Sequence, residues 1–329
     1  MAKRISIKDI ALKVGVSTAL VSYVLNGQEK EKRVGKEVVE RIRKAADELN
    51  YRPNQIARSL RKGTTNTIGL IVADIANPFF GQLARIIEDE ASRQNYIVIL
   101  GSSDEDCSKS ASLTETFLNR QVDGFILVPS EGDDQLVQSL IQKNIPLALI
   151  DRRFPMIDSN YVVLDNFKAT FDTTTHLISA GHQRISMVAY ESTLFHMEER
   201  IRGYKEAMRT KNLNQYIRVE KIRANRDKID ERMDEILSQK DIDAILFATN
   251  TLSIAGLYAI RRNNVRIPDD LVIIGFDGNE AFDFFTPQIS YIEQPLKLIG
   301  KEAVRIVLEQ ISGSEKMFQT KLPPKLIIR

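Results

Sequence analysis

The sequence predicts a small all-α head followed by a larger, two-lobed α/β core with parallel sheets. Three observations carry this expectation. The first 50 residues show helical apolar spacing and no strand-like run. After Thr67, two sets of short apolar runs alternate with amphipathic stretches. Charge divides at the same place: residues 1–62 hold 15 Lys+Arg against 7 Asp+Glu, a net of +8, and the remainder carries −6. A basic head on a mildly acidic body points to a polyanion partner for the head alone.

With 329 residues, 43% hydrophobic and 27% charged, the chain has the apolar surface for more than one large core. The longest apolar runs fall short of the roughly 18 residues of a membrane span, and the N-terminus MAKRISIKDIALKVGVS lacks the continuous apolar core of a secretory signal. A single cysteine, Cys107, excludes an intrachain disulfide framework and argues against a cysteine-based zinc site. The expectation is a cytoplasmic protein without membrane partner, metal or cofactor.

In the head, Ile7, Ile10, Ala11 and Val14 share one helix face, with Ser6 placed as N-cap. Gly15 and Val16 break that pattern, and Ser17 can cap a second helix running to about Leu25. A third amphipathic stretch, Val38, Val39, Ile42, Ala46 and Leu49, follows the charged loop Gln28–Arg33. Residues 52–63, bounded by Pro53 and Gly63, have good helix formers but few large apolar groups. Its helix-forming stretch of about eight residues is below the roughly 12 to 15 an isolated helix needs, so it orders only against a partner. Strand runs follow at Ile68–Ala73, Tyr96–Leu100, Gly124–Val128, Pro146–Ile150 and Tyr161–Leu164, then at Ile185–Ala189, Ala244–Ala248 and Leu271–Gly275. Two such sets mean two lobes.

At 100° per residue, the second helix puts Leu20, Val21, Val24 and Leu25 on one half and Thr18, Ala19, Ser22, Tyr23 and Asn26 on the other. A small, polar face after a Gly-containing turn is what a helix-turn-helix recognition helix presents to a groove. An ordinary solvated face has the same pattern; the adjoining charge and the Pro-bounded linker favour the recognition reading.

Ile7-Lys8-Asp9-Ile10-Ala11, Gly15-Val16-Ser17, Val21-Ser22 and Val24-Leu25-Asn26-Gly27 resemble the DNA-binding head of the LacI/GalR family of transcriptional regulators. Leu49-Asn50-Tyr51-Arg52-Pro53-Asn54 with Ala57-Arg58-Ser59-Leu60 is similar to that family's hinge. The likeness continues through Ile68-Gly69-Leu70, Asn77-Pro78-Phe79-Phe80, Gly181-His182, Pro268-Asp269-Asp270 and Gly275-Phe276-Asp277, nearly the whole chain.

The resemblance implies a helix-turn-helix head at residues 1–52, a hinge helix at 53–63, and a periplasmic-binding-protein-like (type I) core. The core's N-terminal lobe is expected at 64–165 with 293–329, and its C-terminal lobe at 166–292. It further implies a homodimer on a pseudo-palindromic double-stranded DNA operator. Ser17, Thr18, Ala19, Ser22, Tyr23 and Asn26 would meet DNA from the head, and Asn54, Ala57, Arg58 and Leu60 from the hinge. Leu60 matches the family's minor-groove wedge. Two positions depart from the family: Leu20 stands where Thr is common, and Tyr23 where Arg or His is common. Tyr cannot make the bidentate contact of Arg to guanine. The loop Gln28–Arg33 is also about two residues longer than is usual in the family.

For the core, the resemblance implies a small-molecule effector between the lobes, contacted by Phe79, Phe80, Asp151, Arg200, Asn250 and Asp277. An arginine fork and a carboxylate beside an aromatic wall can hold sugar hydroxyls or a planar heterocycle. Each residue has another reading: Arg200 can pair with Glu198 or Glu199 at the surface, Asp277 can cap a turn, and the two Phe residues can be core. Thr251 stands where Asp is frequent, residues 220–230 supply no aromatic, and the chain has no Trp. A sugar or sugar derivative is the expected effector class.

Catalytic patterns are missing: no G-x-S-x-G, GK[ST], H-E-x-x-H or G-x-G-x-x-G occurs. Of three histidines, His176 and His182 fit a helix-end pattern, and His196 stands near the cleft. The expected function is a sequence-specific, effector-responsive transcriptional regulator, a repressor rather than an enzyme. The alternatives are a DNA-binding regulator or architectural protein without effector response and, less favoured, a cleft-based small-molecule enzyme.

Overall fold

The computed structural model describes residues 5–51, 63–222, 226–239 and 241–329. Asn54, Ala57, Arg58 and Leu60, and with them residues 53–62 of the expected hinge helix, lie outside the described residues. The chain divides into two compact units, residues 1–65 and 66–329.

In the head, α1 (Ile7–Val14), α2 (Thr18–Leu25) and α3 (Lys36–Glu48) pack around Ile10, Val21, Val24 and Ile42. The Ser6 N–H donates to Asp9 Oδ2 at 2.7 Å, and Ser17 Oγ accepts from the Leu20 N–H at 3.2 Å, so both helices start where a side chain meets an orphan amide or acid. Gly15, with φ 72°, ends α1 in the left-handed region that glycine enters without cost. Arg41 of α3 donates to the Val14 carbonyl at 2.7 Å, which fixes the tight turn between α1 and α2.

The second unit holds two six-stranded sheets. In the first, β1 (Thr67–Val72), β2 (Ile97–Ser102), β3 (Gly124–Leu127), β4 (Leu147–Ile150) and β5 (Tyr161–Leu164) are ordered 2-1-3-4-5, with helices α4 (Pro78–Arg93), α5 (Cys107–Asn119) and α6 (Asp134–Gln142) between them. The chain then enters the second lobe with α7 (Asn166–Ser179). There β6 (Ile185–Tyr190), α8 (Phe195–Thr210), β7 (Arg218–Ile222), α9 (Arg226–Ser238), β8 (Ala244–Phe247), α10 (Asn250–Arg262), β9 (Val272–Phe276) and β10 (Ser290–Glu293) repeat the plan in the order 7-6-8-9-10. Every pairing named so far is parallel, and the central strands are apolar on both faces because helices cover both. One first-lobe core gathers Leu70, Leu83, Ile87 and Val304; the opposite face of the same sheet packs on Phe117, Phe125 and Leu140.

The chain returns to the first lobe with α11 (Leu296–Ile311), which packs on α4, and β11 (Gln319–Leu322), parallel to β5. The expectation that residues 293–329 all complete the first lobe is corrected at both ends. Glu293 ends β10 of the second sheet, and β12 (Lys325–Ile327) pairs antiparallel with β10 there, Tyr291 opposite Ile327. Pro323 and Pro324 explain the departure: without N–H groups they cannot extend the β11 ladder, so the chain leaves that sheet for the other.

Candidate functional site

On α2, Val21 and Val24 point into the head core while Thr18, Ala19 and Asn26 are exposed and Ser22 and Tyr23 are half-buried. These last five residues therefore share one side of the helix, and the exposed cap residue Ser17 stands at its N-terminus. Asn26 folds back on that side: its Nδ2 donates to the Ser22 carbonyl at 2.6 Å and to Ser22 Oγ at 3.1 Å. Thr18 and Ala19 open the exposed edge.

In the core, Arg200 is buried, not paired at the surface with Glu198 or Glu199. Its Nε donates to Asn166 Oδ1 at 2.7 Å, its Nη1 to the Ala248 carbonyl at 2.6 Å, and its guanidinium lies 3.7 Å over the centre of the Phe276 ring. Glu199 instead receives Arg202 in a two-pronged pair. Two turns of α8 are held against α7 by a donation from Thr170 Oγ1 to the Arg200 carbonyl and by the close approach at Gly203.

Asp151 follows β4 and Asp277 follows β9, and the Arg200 charge acts on both. Burial pushes both carboxyls up. The residue Asp277 keeps some surface, but its carboxyl is enclosed and rises to about 7 despite Arg200 and a 2.9 Å donation from Gln294 Nε2. Arg152, beside Asp151, is committed to Glu105 through two 2.6 Å bonds. His196 is buried near Arg152 and Arg200; burial first, then those two charges, hold its imidazole well below the usual range. It is therefore neutral, and its Nδ1 has no hydrogen-bond partner, nor has Gln294 Oε1.

Two hollows flank this cluster. A cavity of about 370 Å³ is lined by Phe79, Gln82, Ile86, Asp277, Gln294 and neighbours, and one of about 70 Å³ by Asp151, Tyr161, Asn166, Phe195, His196 and others. Phe79 thus reaches the larger hollow. Phe80 packs edge-on to Phe79, ring centres 4.9 Å apart, inside the first-lobe core. Asn250 is buried at the start of α10, its Nδ2 3.5 Å from the Asp277 carbonyl. Sequence reasoning did not single out Asn166, Gln294 or the Arg152–Glu105 pair. Asn166 stands two residues after β5 and Gln294 directly after β10, at crossings between the lobes, which is the one signal that marks them.

Residues 6–54 match the model for bacterial regulatory proteins of the lacI family, and residues 174–329 that for the periplasmic binding protein-like domain. The ribose operon repressor of Halalkalibacterium halodurans is 32% identical over 98% of this chain and 96% of its own length. The chain belongs to the LacI family. This LacI-family transcriptional repressor is also 31% identical to the HTH-type transcriptional repressor PurR of Vibrio vulnificus, over 98% of this chain and 97% of that one. A LacI family transcriptional regulator from Enterococcus faecium, solved with bound ribose, superposes with a TM-score of 0.72 at 27% identity, covering 80% of this chain and 97% of that one. These LacI-family relatives are regulators of transcription, not enzymes. Among the described residues no cluster of three or more His, Cys, Asp or Glu is placed to hold a metal, and no helix is long and apolar enough to cross a membrane.

Proposed function

We propose that this repressor binds a pseudo-palindromic operator as a homodimer in the cytoplasm, and that a sugar or sugar derivative held between its lobes sets its operator affinity. One observation carries the reading: Asp151 from the first lobe and Arg200 and Asp277 from the second converge on a cleft whose walls offer unpartnered donors and acceptors. A polyol satisfies such a mixed set, because each hydroxyl both donates and accepts. The ribose operon repressor and the ribose-bound neighbour favour the same class. Ile97 and Leu100 on the edge strand β2, and Tyr258 and Phe284 on the second lobe, leave large apolar groups exposed, which supports a dimer. Phe79, Asp151, Arg200, Asn250 and Asp277 would meet the effector, with Phe80 behind Phe79; Ser17, Thr18, Ala19, Ser22, Tyr23 and Asn26 of the head and Asn54, Ala57, Arg58 and Leu60 of the hinge would meet DNA.

Closure of the lobes on the effector would change hinge spacing and so DNA affinity, and operator must then change effector affinity by the same factor. The test is selection of duplexes from a random pool by the full-length protein, followed by melting of the protein against a panel of neutral sugars with and without the selected duplex. A two-fold symmetric motif and a sugar whose stabilisation changes with operator are expected. A pool without a motif, or a panel in which no sugar shifts the melt, overturns the corresponding half of the proposal.

A further inference from the structure

The loop between α2 and α3 folds in a specific way. Gln28 N–H donates to the Tyr23 carbonyl at 2.9 Å, Lys32 N–H to the Gln28 carbonyl at 2.9 Å, and Val34 N–H to the Glu29 carbonyl at 2.8 Å. Glu29 is drawn inward and pairs with Arg43 of α3 at 2.7 Å. Arg33 takes φ 50°, a left-handed turn that a non-glycine residue adopts only when its surroundings require it. The loop is thus tied to both flanking helices, by the Tyr23 carbonyl on one side and Arg43 on the other.

The consequence concerns Tyr23. Lys32 Nζ lies over the Tyr23 ring, 5.8 Å from its centre, and pairs with Glu31 at 2.8 Å. Tyr23 lies on the face of α2 assigned to reading DNA, and a lone phenol reads a base edge through one hydrogen bond or one apolar contact. Such a contact discriminates only if the ring is held in one orientation. An exposed cation over its face provides that restraint. Near a duplex, the same ammonium sits beside the helix that enters the groove, where phosphates outcompete the single solvent-exposed carboxylate of Glu31.

Resting on the operator-binding reading above, we propose that Lys32 is a specificity-determining residue of this head: it moves from Glu31 to a backbone phosphate and clamps the Tyr23 ring against the base that Tyr23 reads.

The experiment uses full-length protein and the random-pool selection, with Lys32→Ala, Lys32→Arg and Tyr23→Ala beside the wild type. Lys32 is exposed, so both of its variants should melt with the wild type, and Tyr23→Ala, which trims a half-buried ring, serves only to mark the base position that Tyr23 reads. For Lys32→Ala, losing one phosphate contact in each of two heads should flatten the slope of log affinity against log salt by about 1.8. It should also relax base preference at the same position that Tyr23→Ala relaxes, and Lys32→Arg should keep the wild-type slope. An unchanged slope, or an unchanged motif at the Tyr23 position, overturns the proposal. If the wild type itself selects no motif, it is the operator reading that has failed, and this inference falls with it.

Discussion

Asp151 and Asp277 are counterparts: each is the first residue after the fourth strand of its lobe, and each has a left-handed backbone, φ 63° and 61°. Asp tolerates that conformation better than most side chains do. The turn brings two carboxylates from different lobes within the influence of one guanidinium, Arg200. Their mutual repulsion is offset by that charge and, at Asp151, first by Arg152, which pairs with Asp151 at 3.4 Å as well as with Glu105.

Arg200→Ala removes this compensation and leaves Asn166 Oδ1 and the Ala248 carbonyl without their donor. Breaking a buried charge cluster by deleting one partner costs about 3–5 kcal/mol, so the second unit should melt markedly earlier. Arg200→Lys keeps the charge but cannot span both acceptors in one plane. It should restore part of the melting temperature yet leave sugar-induced stabilisation weakened. Thermal melts of both variants with and without effector test this, and a wild-type melt for Arg200→Ala would refute it.

Asp277 makes stability fall as pH rises. In the folded chain its carboxyl keeps its proton up to about 7, whereas the ordinary value is 3.8. Between those limits the folded state binds more protons than the unfolded one, so the stabilisation is complete below the lower limit and lost towards the upper. Asp277→Asn holds a neutral, nearly isosteric group at every pH. Its melting temperature relative to wild type should therefore rise from about pH 5 to about pH 8; a constant difference would show that the group does not titrate there.

Much of this architecture was legible in the residues. The head helices follow apolar spacing and caps that act within one turn, and the central strands are apolar throughout because helices bury both faces. Other elements lack that local signal. Strands β7, β11 and β12 lie at sheet edges, so Arg218-Val219-Glu220-Lys221-Ile222, Gln319-Thr320-Lys321-Leu322 and Lys325-Leu326-Ile327 mix charge with apolar groups. Their pairing is decided by partners far along the chain. The same holds for Arg200: its neighbours in sequence left a surface pair with Glu198 or Glu199 open beside the effector reading, while its partners, Asn166, Ala248 and Phe276, come from other elements. Phe79 and Phe80 are adjacent, alike and both buried in the first-lobe core, and only the turn of α4 gives Phe79 an edge on the cavity as well.

Gly203 links packing to the cleft. A Cβ there would stand 2.2 Å from the Phe167 carbonyl oxygen and 2.4 Å from Thr170 Oγ1, both on α7, so Gly203→Ala must push α8 away. Overpacking of this kind costs about 1–3 kcal/mol. Because Arg200 lies one turn earlier on α8, its guanidinium should also shift off Asn166 and Phe276. Effector-induced stabilisation should fall while the motif selected from DNA stays that of the wild type. An unchanged effector response in a variant that melts early would mean that Arg200 is positioned independently of the helix contact.

Tyr23→Arg tests the reading face directly. Tyr23 is half-buried on α2 between the exposed Ala19 and Asn26, one and nearly one turn away. An arginine at this station carries five donors in a planar fork and pairs with guanine O6 and N7, a contact worth about 1–3 kcal/mol against the wrong base. The phenol has no equivalent preference. Selection by the variant should therefore enrich guanine at one base pair in each half-site, with the remainder of the motif and the half-site spacing unchanged, because spacing is set by the dimer and not by this side chain. If the enriched base pair does not change, Tyr23 does not face the groove, and the recognition surface of α2 must be rotated toward Thr18 and Ser22.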